Sequence, residues 1–102
     1  MLNDIIVAIS TALQDGAISI VRLSGEGCIE LVDKVFTADL IQKESHTMTY
    51  GFIFDPIDHQ EIDECLVSVF RAPKTFTRED IVEINCHGGK MVTRRVLNVL
   101  LA

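Results

Sequence analysis

The sequence predicts an α+β fold: a mixed, largely antiparallel sheet of about five strands with two helices against it. Short segments rich in β-branched residues recur along the chain, bounded by the turn chemistry of Asp15-Gly16, Asp55-Pro56 and Gly88-Gly89. Two further stretches carry apolar residues at helical spacing, and the order reads β-β-α-β-β-β-α. The chain's 102 residues, 48% hydrophobic and 24% charged, suit one domain spanning residues 1–102. A chain of that length buries roughly 60 to 65% of its unfolded surface and needs no disulfide to do so.

Asp4 to Ser10 (DIIVAIS) and Ala17 to Ser24 (AISIVRLS) read as strands. In the second, Ile18, Ile20 and Arg22 share one face and Ala17, Ser19, Val21 and Leu23 the other, which sets Arg22 on an otherwise apolar face. From Gly25 to Phe36 the stripe Ile29, Leu31, Val32, Val35, Phe36, with Glu26 near its start, predicts a helix. Residues 37–46 have no clear period and read as a loop or frayed turn. Thr47 to Phe54 and Ile62 to Arg71 are strand-like and flank DPIDHQE, which predicts an antiparallel hairpin. Pro73 keeps Ala72 to Glu79 out of any central strand. Asp80 to Cys86 is a fifth strand, with Ile81, Glu83, Asn85 and His87 on one face and Val82, Ile84 and Cys86 on the other. Lys90 to Ala102 is the second helix, its stripe formed by Val92, Val96, Val99 and Leu100 and its solvated face by Lys90, Arg94 and Arg95. Strands apolar on both faces need cover on both sides. Two helices are too few, which implies a partner subunit or a longer chain; the helix ends without a C-cap glycine, as expected of a piece of a longer protein.

The net charge of −6 is the wrong sign for holding a phosphate backbone or anionic lipid, so nucleic acid is not expected to bind this segment directly. The apolar runs Ile5 to Ile9 and Val96 to Ala102 are too short to cross a bilayer, and no basic leader precedes them. A cytoplasmic chain with no membrane partner is expected. The three cysteines, Cys28, Cys65 and Cys86, are widely spaced and odd in number, which fits reduced thiols and lacks zinc spacing; Cys28 and Cys65 read as small packing residues, with a reactive thiol as the alternative.

Chemistry is most legible in Arg22, Glu64 and Glu83, each of which interrupts an apolar strand. A charge placed in a sheet must be paired, solvated by a cleft or held for a ligand, because burying it alone costs several kcal/mol. An internal salt bridge or a solvated sheet face satisfies that condition as well as a ligand does. A carboxylate facing a cleft suits adjacent N–H donors such as a pterin or guanine edge, and an arginine suits carboxylate or phosphate. Cys86-His87-Gly88-Gly89 sits at a strand-to-helix junction, but Cys86 and His87 alternate to opposite faces, which argues against a catalytic pair. A metal site using His46, His59 and His87 is equally disfavoured, and no GxxxxGK[ST] phosphate loop is present. The segment Pro73 to Asp80 reads either as a ligand lid or as a plain surface connection.

Taken together, DIIVAIS, GAISIVRLSG at 16–25, IDECLVSVFRAPKTFTREDIVEINCHGG at 62–89 and the helix after it resemble the N-terminal domain of the TrmE (MnmE) family of tRNA-modification GTPases. The resemblance spans nearly the whole chain and is weakest from Thr37 to Gln60. It implies a tetrahydrofolate-binding α+β domain, akin to the folate-binding domains of glycine-cleavage T-protein relatives, that also mediates homodimerisation. It further implies a cofactor, 5-formyl- or 5,10-methylene-tetrahydrofolate, near the dimer interface. GTP, magnesium and potassium belong to the parent only, which acts with an FAD-dependent MnmG-type partner on C5 of the wobble uridine of tRNA. This chain departs from the family at Thr11 to Asp15, where a turn bearing proline and glycine is usual. It departs again at Phe76 and Arg78, where tyrosine and glycine are usual, and these changes bear on the loop contacts.

The expected cofactor-binding residues are Arg22, Glu83 and Glu64, with Phe76 and Asn85 as neighbours; no catalytic or metal-binding residue is expected. In this reading Arg22 meets an anionic or carbonyl part of the cofactor and Glu83 accepts from the pterin N–H groups, while Glu64 is either a ligand or structural. The alternative is a pure dimerisation or assembly domain with a degraded folate site. A self-contained small enzyme is disfavoured by the absence of a nucleophile-base pair, a phosphate loop and metal spacing.

Overall fold

The computed structural model describes residues 5–9, 18–73, 75, 78–87 and 89–101, with Lys90 described by its backbone alone. Its elements are β1 (Ile6–Ile9), β2 (Ile18–Ser24), α1 (Cys28–Asp33), β3 (Thr47–Phe54), β4 (Glu61–Phe70), β5 (Ile81–His87) and α2 (Lys90–Leu101). The strands form one five-stranded sheet in the order β1-β2-β5-β4-β3, and every pairing is antiparallel. The expected α+β architecture and the β3–β4 hairpin are both present.

Alternation along the strands sorts the two faces of the sheet. Val21 and Leu23 of β2, Cys65, Val67 and Val69 of β4, and Val82, Ile84 and Cys86 of β5 are buried in one core with Ile29 and Val32 of α1 and Val96 and Leu100 of α2. Both helices therefore lie on the same side of the sheet, and among the described residues no helix covers the other side. On α2 the buried stripe includes Thr93, whose hydroxyl donates to the Gly89 carbonyl at 2.8 Å and so satisfies itself inside the core. Arg94 and Arg95 are exposed, as the sequence pattern requires.

The first helix is shorter than the predicted span of 25–36. Gly27 sits at φ 90°, ψ 0°, a left-handed conformation incompatible with a helix interior, so α1 starts only at Cys28. At the other end Phe36 leaves the helix to bridge Ile53 of β3; the Val35 carbonyl accepts from Phe54 N at 2.9 Å, and Thr37 N donates to the Phe52 carbonyl at 3.0 Å. Pairing with the sheet edge outweighs the helical pattern of Val35 and Phe36. The Phe36 ring then lies over Gly51, close enough that a Cβ on residue 51 would stand 2.6 Å from Cζ.

Residues 37–46 are irregular, as expected, and Arg71 holds them in place. Its Nε donates to the Lys43 carbonyl at 2.9 Å, and its Nη2 donates to those of Ile41 at 2.9 Å and Leu40 at 3.3 Å. The fifth strand runs one residue later than the predicted 80–86, because Asp80 is taken up in junctions. Its carbonyl accepts from Gly25 N and from the Cys28 thiol, and its carboxylate accepts from Ala72 N at 2.8 Å. The Thr11 to Asp15 turn lies outside the described residues.

Candidate functional site on the uncovered sheet face

Antiparallel register converts the strand pattern into rows of side chains across the uncovered face. One row runs Ala8, Arg22, Glu83, Ser68, Met48, and the next runs Ile20, Asn85, Leu66, Tyr50. Ile18 stands opposite His87, and Phe52 opposite Glu64. The large apolar side chains of Ile6, Ile18, Met48, Tyr50 and Leu66 are all exposed here, with Ile18 at 63% and Tyr50 at 56%. Such a concentration on one face exceeds the scattered exposure normal for a monomer surface.

Arg22 and Glu83 are direct cross-strand neighbours and form an ion pair. Arg22 Nε donates to Glu83 Oε2 at 3.0 Å and Nη2 donates to the same oxygen at 2.7 Å. Both bonds converge on Oε2, so Oε1 lies outside the pair. The Arg22 side chain is 44% exposed and that of Glu83 is 24%, so the pair is solvent-facing and its own contribution to stability is at most about 1 kcal/mol. A recess of about 190 Å³ opens beside it, lined by Arg22, Phe70, Thr75, Ile81 and Glu83.

Glu64 and Asn85 line a second recess on the same face, about 260 Å³, with Ile18, Tyr50, Leu66 and His87. Glu64 accepts a hydrogen bond from the Tyr50 hydroxyl, which raises the phenol's pKa above the usual tyrosine value. The structure thus brings Arg22 and Glu83 together and places Glu64 and Asn85 in the lining of a separate hollow. Phe76 lies outside the described residues. Its neighbour Arg78 sits at φ 65°, in the left-handed region that glycine adopts without cost, and Arg78 N donates to the Thr75 carbonyl at 3.2 Å. The turn keeps a glycine-type backbone with an arginine in it.

Sequence reasoning missed the contact between Asp63 and His87. The carboxylate accepts from His87 N at 2.8 Å and lies 2.6 Å from the imidazole Nδ1, which raises the His87 pKa through the hydrogen bond and the charge of Asp63. No local pattern signals a pair 24 residues apart in sequence. The Tyr50–Glu64 bond was closer to legible, since Met48, Tyr50 and Phe52 alternate onto one face of β3. His46 packs edge-on against Phe70 at 5.2 Å and His59 faces Phe54 at 6.2 Å, so the three histidines have separate surroundings. The Cys28 thiol is pushed up to about 12 by burial and by the charge of Asp80, which keeps it protonated in a packing role.

An antiparallel sheet with helices on one face and a charged pair set among apolar side chains on the other defines an α+β module with an uncovered recognition-type surface. The chain belongs to the family described as GTP-binding protein TrmE N-terminus, which matches residues 5–102. It is 59% identical over 100 residues to the tRNA modification GTPase MnmE of Lactobacillus johnsonii and 57% identical over 100 residues to that of Bacillus mycoides. The Enterococcus faecalis protein of the same description is 56% identical over 101 residues. The alignments cover 96 to 97% of this chain, which spans 22% of the length of these curated relatives. Among the described residues no helix is long and apolar enough to cross a membrane.

Proposed function

We propose that residues 1–102 are the N-terminal, tetrahydrofolate-binding and homodimerisation module of a cytoplasmic tRNA-modification GTPase. The observation that carries this reading is the uncovered sheet face, where exposed Ile6, Ile18, Met48, Tyr50 and Leu66 surround the Arg22–Glu83 pair. A second copy of the chain covers that face and removes its apolar surface from water. The recess of about 190 Å³ beside the pair is smaller than the ~300 to 1,000 Å³ of ordinary small-molecule pockets, which favours a site completed by a wall from the partner subunit.

In this module Glu83 Oε1 accepts from the pterin amino and ring N–H groups, and Arg22 meets an anionic or carbonyl part of 5-formyl- or 5,10-methylene-tetrahydrofolate. Asn85, one row away, and Glu64, two rows away, contact the remainder of the cofactor. The folate supplies a one-carbon unit to the parent. The parent binds GTP with magnesium and potassium and works with an FAD-dependent MnmG-type protein on C5 of the wobble uridine.

Sedimentation and calorimetry on the same sample test the proposal. The chain is expected to sediment as a dimer at micromolar concentration and to bind 5-formyltetrahydrofolate. Glu83→Gln is expected to weaken binding at least about tenfold while the dimer persists, since one charge-assisted hydrogen bond contributes roughly 1.5 to 3 kcal/mol. Glu64→Gln, whose carboxylate is engaged by Tyr50, is expected to weaken it less. A dimer that ignores folate selects the assembly-domain alternative, and a monomer at every concentration removes the reading.

A further inference from the structure

The helix-side face of the sheet holds a cluster of metal-ligand chemistry that the function proposed above does not use. Asp63 and Cys65 are two residues apart on β4, and Cys86 lies on the adjacent β5. The register Leu66↔Asn85 and Val67↔Ile84, continued by one residue, sets Cys65 directly opposite Cys86. Asp63 stands opposite Ile53, a core residue, so Asp63 and Cys65 share the helix-side face. Residues i and i+2 of one strand and the residue opposite on its neighbour converge on one point above the sheet, the arrangement a three-ligand site requires.

The three ligand atoms lie close together, and one pair stands at the separation a shared metal would set. One ligand atom from each of Asp63, Cys65 and Cys86 lies within 4.8 Å of the others, and Cys65 Sγ is 3.7 Å from Asp63 Oδ2. Around a tetrahedral zinc, metal–sulfur and metal–oxygen bonds of ~2.3 and ~2.1 Å separate a sulfur from an oxygen by about 3.6 Å, and two sulfurs by about 3.8 Å. The carboxylate is already oriented: His87 N donates to Oδ2 and the imidazole holds Oδ1 at 2.6 Å, the outer contact typical of a ligating side chain.

We propose that Asp63, Cys65 and Cys86 form a binding site for a thiophilic divalent cation, with His87 positioning the carboxylate. Two sulfurs and one oxygen select zinc-like ions over magnesium or calcium, which take oxygen ligands. On binding, the cation displaces one proton from each thiol, both protons pass to solvent, and the carboxylate contributes its existing charge. The site is separate from the Arg22–Glu83 pair and does not rest on folate binding.

The test uses the reduced, metal-free chain titrated with cobalt(II) and then zinc. The expected result is one equivalent of cobalt bound with an intense thiolate-to-cobalt absorption band, abolished by added zinc, and a rise in melting temperature with zinc. Cys65→Val, close in volume and suited to a strand, should lose the band, as should Cys86→Val. Cys28→Ala should keep it, and His87→Ala should weaken zinc binding about tenfold. Absence of the band from the wild-type chain overturns the proposal regardless of how the variants fold, and an undiminished band in Cys65→Val overturns it equally.

Discussion

Gly51→Ala puts a single methyl group where the Phe36 ring already stands. The new Cβ would meet Phe36 Cζ at 2.6 Å, Cε1 at 2.9 Å and Cε2 at 3.0 Å, whereas ordinary contact begins at 3.4 Å. The ring must retreat by up to about 1 Å, and it cannot do so freely. Phe36 is buried, its backbone is bridged to Ile53, and Thr37 is bonded to Phe52 on both its amide and its hydroxyl. Overpacking of this kind costs about 1 to 3 kcal/mol, and the reduced freedom of the unfolded chain returns about 0.4 to 1 kcal/mol. At the middle of both ranges the net loss is about 1.3 kcal/mol, or a fall in melting temperature of roughly 5 to 10 °C for a domain of this size. Urea denaturation of Gly51→Ala, Phe36→Leu and the double variant measures it. The double variant should be more stable than the sum of the single losses by at least about 0.5 kcal/mol, because the smaller side chain frees the space. Strict additivity, or a Gly51→Ala protein as stable as wild type, would refute the account.

Asp63 raises the His87 pKa above 6.5, so protonated His87 contributes stability that is complete below 6.5 and is lost as pH rises through the folded-state value. Imidazole resonances should titrate above 6.5 in wild type and move back toward it in Asp63→Asn, with a flatter dependence of melting temperature on pH; an unchanged midpoint would refute this. Arg71→Lys should lower stability by about 1 to 3 kcal/mol and speed amide exchange in residues 40–45, because an ammonium lacks the planar fork that reaches the Leu40, Ile41 and Lys43 carbonyls together. Equal exchange in both proteins would show that the loop is held by other contacts. Incubation with GTP or ATP should release no phosphate above a buffer blank, since the sequence has no phosphate-cradling loop; release abolished by a substitution at Gly89 would overturn that expectation.

Periodicity made most of the sheet legible. Val21 and Leu23, Val67 and Val69, and Val82 and Ile84 alternate with polar or exposed residues, and each strand formed within a residue or two of its pattern where it is described. The first helix misled because Val35 and Phe36 fit both a helical stripe and an edge contact, and only the position of β3 decides between them. For the site, strand alternation was enough to mark Arg22, Glu64 and Glu83 as out of place but not to say how they are satisfied. That required register: Arg22 and Glu83 pair because β2 and β5 are neighbours, a fact absent from any local window. Cys65 reads as an isolated packing residue and Cys86 as part of a strand-to-helix junction for the same reason, and the two become opposite numbers once β4 and β5 are aligned.

The last of the five described strands in chain order, β5, occupies the centre of the sheet. β1 with β2 and β3 with β4 are each local ribbons, yet β2 and β4 do not pair with each other, and among the described strands β5 joins them. At ribosomal speeds of about 5 to 20 residues per second, roughly 3 to 13 s pass between completion of residue 24 and residue 87. Through that interval the nascent chain holds two ribbons, each marginal by itself, with open inner edges bearing Val21, Leu23, Val67 and Val69. The contact that closes the sheet spans 61 positions between Arg22 and Glu83, the kind of distant pairing that folds slowly. Residues 81–87 therefore act as a keystone, and a substitution that delays their insertion exposes the nascent chain to edge-to-edge aggregation before any function is at stake.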